Sequence, residues 1–175
     1  MIGVRKACLA FMFAAFACVV VSKETQAQSA AEKPILTISG KINGATTGSG
    51  GSDEGAVFDR SKLEALGMET IETKTPWYKE TVKFEGVSLD KLMQSVGANG
   101  DRVVAIALND YSVEIPMEDF AKHRVILALK RDGEYMSVRD KGPLFVVYPY
   151  DSDPELRSQK FYSRSAWQVK QLIVK

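Results

Sequence analysis

Residues 84–97 read FEGVSLDKLMQSVG, a segment in which a strand pattern gives way to a helix pattern. Residues 81–85 alternate between polar and apolar side chains, which is typical of a half-buried strand. Ser88 is suited to cap the start of a helix, and Gly97 is suited to end it. The apolar residues between them repeat at spacings of three and four and so share one face: Leu89, Leu92, Met93 and Val96. The segment therefore predicts a strand that leads directly into a short amphipathic helix.

Short strand patterns surround this unit on both sides. They lie at residues 35–42, 68–73, 103–108, 111–115, 125–129, 144–148 and 167–174. Asp59 is suited to cap a short helix between the first two, and Asn109 with Asp110 is suited to turn one strand into the next. Strands outnumber helices, and the two do not alternate regularly. The sequence therefore predicts an α+β fold with a mixed, barrel-like β-sheet and short peripheral helices.

The N-terminus has the pattern of an export signal. Arg5 and Lys6 precede an uninterrupted apolar run over residues 7–21, and small residues follow near Ala27. As a helix this run would span roughly 22 Å, which is short of the ~30 Å hydrocarbon core of a bilayer. We expect a signal peptide at residues 1–27, a single domain at 28–175, a periplasmic or secreted location and no stable membrane anchor after cleavage.

Cysteine and histidine usage excludes several kinds of chemistry. The two cysteines, Cys8 and Cys18, both fall in the expected signal peptide, so the exported chain would hold neither a thiolate metal ligand nor a catalytic cysteine. The one histidine, His123, stands between Lys122 and Arg124 and is predicted to be a surface residue. A zinc or copper site usually needs several imidazole or thiolate ligands, so neither metal is expected.

The charge of the chain is balanced overall but uneven along its length. Residues 28–175 carry 20 basic and 21 acidic side chains, which disfavours nucleic acid as a partner. Residues 28–120 hold 9 basic and 15 acidic side chains, whereas residues 121–175 hold 11 and 6. This asymmetry fits either a basic wall around an anionic ligand or a solvated surface. The glycine- and serine-rich residues 48–52 lack the G-K-[ST] sequence of a phosphate-binding loop and predict a surface loop.

Aromatic and basic residues cluster in two places, at residues 73–79 (TKTPWYK) and between residues 139 and 167. One interpretation is a cleft for a small anion, in which basic side chains neutralise the ligand, aromatic rings stack on it and Asp110 orients a donor. The residues assigned to this ligand-binding cleft are Thr73, Thr75, Trp77, Asp110, Tyr111, Arg139, Lys141 and Arg164. The alternative interpretation is that Trp77 and Trp167 only cover the core.

Four segments carry a family resemblance: residues 84–89 (FEGVSL), 109–116 (NDYSVEIP), 142–149 (GPLFVVYP) and 167–170 (WQVK). In their order and spacing they resemble the sulfite-oxidase-type molybdopterin-binding domain. The resemblance implies a mixed α+β domain that binds a molybdenum pyranopterin and performs two-electron oxygen-atom or sulfoxide chemistry, with one cysteine thiolate on the metal.

The sequence departs from that family at the metal ligand. The corresponding residues 70–75 read TIETKT and contain no thiol, and a threonine hydroxyl bonds poorly to a soft metal at neutral pH. The first hypothesis is therefore a noncatalytic binding module without a resident cofactor or metal, whose partner is a small anionic ligand or an exported or membrane sensor protein. The alternative is a molybdopterin-dependent oxidoreductase that binds its cofactor without a protein thiolate. A third is an adaptor that only presents its surface to a partner.

Overall fold

The computed structural model describes residues 33–43 and 55–175. The expected signal peptide and most of the predicted surface loop, residues 44–54, lie outside them. The ten strands are β1 Leu36–Gly40, β2 Ala56–Phe58, β3 Met68–Thr75, β4 Tyr78–Ser88, β5 Arg102–Ala107, β6 Ser112–Pro116, β7 Ile126–Arg131, β8 Glu134–Tyr135, β9 Phe145–Val147 and β10 Val169–Val174. The four α-helices are α1 Arg60–Ala65, α2 Leu89–Ser95, α3 Glu118–His123 and α4 Gln159–Arg164, and short 3-10 helices lie at Val138–Asp140 and Pro154–Leu156.

The described strands form two open sheets rather than a closed barrel. The first has the order β2-β1-β10-β5-β6, in which β1 and β10 are parallel and the other neighbours antiparallel. The second has the order β3-β4-β7-β8, and β9 pairs with the other end of β7. This arrangement confirms the predicted α+β fold with mixed sheets and short helices.

The chain segment before β10 connects the two sheets. The Val146 amide donates to the Ala166 carbonyl at 2.9 Å, and the Val169 amide donates to the Leu144 carbonyl at 3.0 Å. Residues 166–169 therefore lie along β9 of the second sheet before the chain enters β10 of the first. The apolar faces of both sheets and of α2 contribute to a single core.

The local signals around β4 and α2 have clear physical roles. The Ser88 hydroxyl accepts from the Lys91 amide at the start of α2, as predicted, and Gly97 ends the helix with a φ of 58°. Gly86 pairs with Ala128 of β7, and a Cβ at this position would lie 2.2 Å from the Leu127 carbonyl oxygen. The glycine of the FEGVSL segment is therefore required for β4 and β7 to approach each other.

His123 corrects one sequence-based expectation. The prediction of a surface histidine is wrong, because only 8% of this residue is exposed and its ring packs against Phe161 and Tyr148 at centroid distances of 5.3 and 6.4 Å. Successive residues of a helix point about 100° apart, so the charged neighbours of His123 face outward while its own ring faces inward. Two further elements, β2 and α4, were not predicted. Within residues 33–43 and 55–175, no helix has the length and apolar character of a membrane span.

Candidate functional site

A cleft of about 470 Å³ opens between the β3–β4 turn, the β5–β6 turn and the segment that runs from α4 to Trp167. Its aromatic lining consists of Trp77, Tyr111, Tyr162 and Trp167. The volume falls in the range of about 300–1,000 Å³ that is usual for small-molecule sites. We refer to this space as the aromatic cleft.

Trp77 is the central ring of the cleft. Its centroid lies 5.7 Å from that of Trp167 and 6.0 Å from that of Tyr162, with interplanar angles of 73° and 75°. It also meets the core ring of Phe145 edge-on at 5.4 Å. The tight turn between β3 and β4 holds it in place, because the Trp77 amide donates to the Thr75 hydroxyl at 3.3 Å. One part of this ring therefore contacts the core while another part lines the cleft.

The polar groups of the cleft are neutral. Besides the tyrosine hydroxyls, they belong to Asn109, Gln159, Ser163 and Ser165, and within residues 33–43 and 55–175 no Asp, Glu, Lys, Arg or His lines the cleft. The Ser165 hydroxyl is already bonded to the Tyr150 hydroxyl and to the Phe161 carbonyl. The side-chain amides of Asn109 and Gln159 each combine donor and acceptor capacity. The cleft thus offers aromatic surface and uncharged hydrogen-bonding groups.

Three non-glycine residues beside the cleft have left-handed backbones. They are Asp110, Lys141 and Gln168, with φ values of 64°, 64° and 56°. Gln168 joins the three segments, because its amide donates to the Lys141 carbonyl at 3.0 Å and its own carbonyl accepts from the Leu108 amide at 2.9 Å. Such conformations carry a cost for residues other than glycine and tend to collect at functional sites. We call these three residues the rim.

A buried ion pair fixes the α4 wall. The Asp119 carboxylate on α3 accepts from Arg164 at 2.7 Å and from the Tyr148 hydroxyl at 2.8 Å. Only 5% of the Asp119 side chain is exposed. Burial, followed by the nearby Asp119 charge, raises the pKa of Tyr148 well above its usual value, so this phenol stays protonated as a donor. Because Arg164 is the last residue of α4, the pair ties this helix to α3.

The structure places four of the eight residues assigned from the sequence at the aromatic cleft, two in its lining and two at its rim. Trp77 and Tyr111 line it. The Lys141 ammonium lies 5.1 Å from the centroid of the Trp167 ring, in cation–π geometry at the rim. Asp110 also lies at the rim, but its carboxylate faces Lys170 at 2.7 Å, and that contact lowers the pKa of Asp110.

The other four assigned residues do not line the cleft. Thr73 is fully buried and Thr75 is half-buried, both on β3 behind Trp77. Arg139 is exposed on a 3-10 helix. Arg164 lines a separate, larger cavity of about 650 Å³ whose walls are mostly charged and polar.

Sequence reasoning missed the contribution of α4. Gln159, Tyr162 and Ser163 follow the helical spacing i, i+3, i+4, which places them on one face, and all three line the cleft. The spacing of these three residues could have indicated a helix. However, residues 159–164 contain too few apolar side chains to be recognised as an amphipathic helix.

Comparison with known proteins identifies what this fold resembles. A family model described as the oxidoreductase molybdopterin binding domain matches residues 59–151. Among solved structures, the sulfane dehydrogenase SoxCD from Paracoccus pantotrophus is similar, with a TM-score of 0.56 and 18% sequence identity. The match covers 79% of this chain but only 37% of that one. No curated protein matches the chain.

The residues present do not fit a molybdenum-bearing pterin. Thr73 lies in the segment where the resemblance expects the metal-binding thiolate, and its hydroxyl accepts from the Asp151 amide at 3.1 Å and donates to the Lys74 carbonyl at 3.3 Å. The hydroxyl of Thr75 is likewise bonded to the Trp77 amide. Among the described residues, none that lines the cleft has a cationic side chain for a phosphate. In the described part of the chain, no group of three or more His, Cys, Asp or Glu residues is arranged to hold a metal ion.

Proposed function

Because the chain belongs to the oxidoreductase molybdopterin-binding domain family, we propose that it is a noncatalytic member whose aromatic cleft binds a small ligand. One observation carries this proposal: the Thr73 hydroxyl is enclosed, and its hydrogen bonds go to the backbone. A buried hydroxyl held in this way has no free position toward a metal. The side chains of the cleft can bind and orient a ligand, and among the described residues that line it there is no carboxylate, imidazole, amine or thiol that would transform it.

The N-terminal sequence supports export as the second part of the proposal. Arg5 and Lys6 followed by an apolar run are typical of a signal peptide ending near Ala27. The binding module would then act in the periplasm or outside the cell. Its partner would be an exported or membrane sensor protein that contacts the ligand-bound form.

Molybdenum content tests the proposal against the alternative of a molybdopterin-dependent oxidoreductase without a protein thiolate. The full chain is produced in a host that makes molybdopterin and exports proteins, and the purified protein is analysed for molybdenum and for pterin fluorescence after oxidation. A family member that has the thiolate, produced in the same host, serves as the positive control. We expect the metal in the control alone.

A result close to one molybdenum per chain would overturn the noncatalytic proposal and favour the oxidoreductase. The site of signal cleavage is read from the same preparation by N-terminal sequencing. If the exported protein still contained the apolar residues 7–21, the proposal that residues 1–27 are a cleaved signal peptide would be contradicted.

A further inference from the structure

We propose that the ligand of the aromatic cleft is a neutral pyranose sugar, a proposal that rests on the noncatalytic binding function above. The first argument is charge. Within the described residues 33–43 and 55–175, no side chain that is charged at neutral pH lines the cleft, so a charged ligand would lose its water shell there without an opposite charge on the lining. The nearest charges are already engaged, because Lys141 lies over Trp167 and Asp110 faces Lys170. The cleft therefore favours an uncharged ligand.

The second argument is the geometry of the rings. Trp77 stands nearly perpendicular to both Trp167 and Tyr162, so it forms no parallel pair with either ring between which a flat heterocycle could be sandwiched. A pyranose needs no such pair, because its C–H face packs against a single aromatic face. Tyr111 is 54% exposed at the mouth of the cleft and offers such a ring.

The third argument is the match of hydrogen-bonding groups. Sugar hydroxyls both donate and accept, and so do the side-chain amides of Asn109 and Gln159. The Asn109 carbonyl oxygen accepts from the Tyr111 amide at 3.2 Å, which orients this side chain beside the tyrosine. An aromatic ring and an amide thus stand together on the β5–β6 turn, and α4 contributes the side-chain amide of Gln159 to the same lining. This pairing suits a ring with an apolar face and a polar edge.

Intrinsic fluorescence is a direct readout for this cleft. The chain contains 2 tryptophans, Trp77 and Trp167, and both line it. The full-length purified protein is titrated with neutral N-acetylglucosamine and cellobiose, with cationic glucosamine and with anionic glucose 6-phosphate. The melting temperature is measured with each compound as an independent sign of binding. We expect a saturable fluorescence change and a rise in melting temperature with at least one neutral sugar, and at least tenfold weaker binding of both charged sugars.

A pair of tyrosine variants locates the binding. Tyr111→Ala removes the ring at the mouth of the cleft and should weaken binding of the neutral sugar about tenfold. Tyr135→Ala removes a similarly exposed ring, 44% exposed on β8 away from the cleft, and should leave the affinity unchanged. Both variants are checked for an unchanged circular dichroism spectrum, since neither ring belongs to the core.

The proposal is overturned if no neutral sugar changes the fluorescence or the melting temperature of the folded protein, or if a charged sugar binds as tightly as the neutral ones. It is also overturned if Tyr111→Ala and Tyr135→Ala behave alike. Each of these results leaves the molybdenum analysis untouched. Failure of the sugar proposal is therefore distinct from failure of the noncatalytic function, which only bound molybdenum would show.

Discussion

The Thr73 hydroxyl lies on the inner side of β3 and bridges two stretches of backbone that are far apart in sequence. Its acceptor bond to the Asp151 amide fastens the loop after β9 to the strand. The neighbouring Asp151 carboxylate accepts from the Lys74 amide at 2.7 Å and reinforces the same contact. In this chain the residue therefore has a structural role, and the residues that line the aromatic cleft lie three and four positions further on, at Pro76 and Trp77.

Two buried tyrosines give the protein a predictable sensitivity to alkali. Burial raises the pKa of both Tyr148 and Tyr150 well above 10, the ordinary tyrosine value. Above pH 10 the unfolded chain releases these phenol protons while the folded chain retains them, so stability is full below pH 10 and falls as the pH rises. Each group contributes a slope of about 1.4 kcal/mol per pH unit.

The slope is tested with Tyr150→Phe. Urea unfolding between pH 9 and 11 should show a free energy that falls more steeply in the wild type than in the variant, by about 1.4 kcal/mol in total over these two pH units, because the unfolded phenol ionises across this range. Ionisation of lysines and other tyrosines is common to both proteins and cancels in the comparison. Equal slopes would mean that the Tyr150 phenol ionises in the folded protein.

The sequence predicts the positions of some residues at the cleft and its walls better than those of others. Trp77 follows a proline in a short polar connection, and Tyr111 follows the Asn109–Asp110 pair, so both are tied to tight turns that the sequence reveals. The directions in which the side chains of Arg164 and His123 point depend on how α3 packs against α4. That packing rests on the Asp119 ion pair, a contact across 45 residues that no local pattern records.

The pairing of β4 with β7 depends on a single glycine, Gly86. Gly86→Ala would force a methyl group against the Leu127 carbonyl, and we expect a loss of about 3 kcal/mol or more in the free energy of unfolding. Gly67→Ala is the matched control, because its Cβ would meet nothing within 4 Å and only the left-handed backbone, with φ of 94°, is strained. That substitution should cost about 1 kcal/mol.

Chemical denaturation of the two glycine variants measures the difference between their free energies of unfolding. A Gly86→Ala protein as stable as Gly67→Ala would show that β4 and β7 separate easily, against the register described here.

The attachment of α4 to α3 gives a second element-scale prediction. Asp119 and Asp110 each lie 2.7 Å from a cation, but the Asp119 side chain is 5% exposed and the Asp110 side chain 84%. Asp119→Ala leaves Arg164 and the Tyr148 hydroxyl without their shared partner, and we expect a loss of about 3–5 kcal/mol. Asp110→Ala removes a fully solvated pair and should leave the unfolding transition almost unchanged.

Urea unfolding curves of the two aspartate variants are compared at neutral pH and low salt. Because α4 supplies Gln159 and Tyr162 to the aromatic cleft, Asp119→Ala should also alter the tryptophan emission spectrum of the folded protein. Equal effects of the two substitutions on stability would show that the Asp119 pair is not protected from water.

Among the elements, those with strong local signals were predicted. The Ser88 and Asp59 caps, the α2 face and most strands follow from capping residues and periodicity. Strand β2 has only three residues and α4 is mostly polar and aromatic, so neither shows a recognisable strand or helix periodicity of apolar residues. Tertiary contacts hold both elements in place.

At the scale of the whole molecule, the α+β class follows from the order of the elements, but the division of the strands does not. The alternation of buried and exposed residues along each strand is the same in a single barrel-like sheet as in two open sheets. The difference lies in long-range pairs such as Ile38 with Leu172, which join the first strand to the last in parallel. The cleft depends on the same pairing, because its walls come from turns of both sheets and from the segment that connects them.

In the segment that corresponds to the family's metal-ligand strand, the Thr73 side chain is closed to solvent, and this supports the proposal that the aromatic cleft is the functional site. Thiol labelling tests it most directly. In a chain whose Cys8 and Cys18 are replaced by serine, Thr73→Cys and Thr70→Cys place a single thiol on the buried and the exposed side of β3. We predict that a maleimide labels Thr73→Cys at least about 100-fold more slowly than Thr70→Cys, since the buried thiol reacts only when the strand opens locally. Similar labelling rates for the two folded variants would contradict the account.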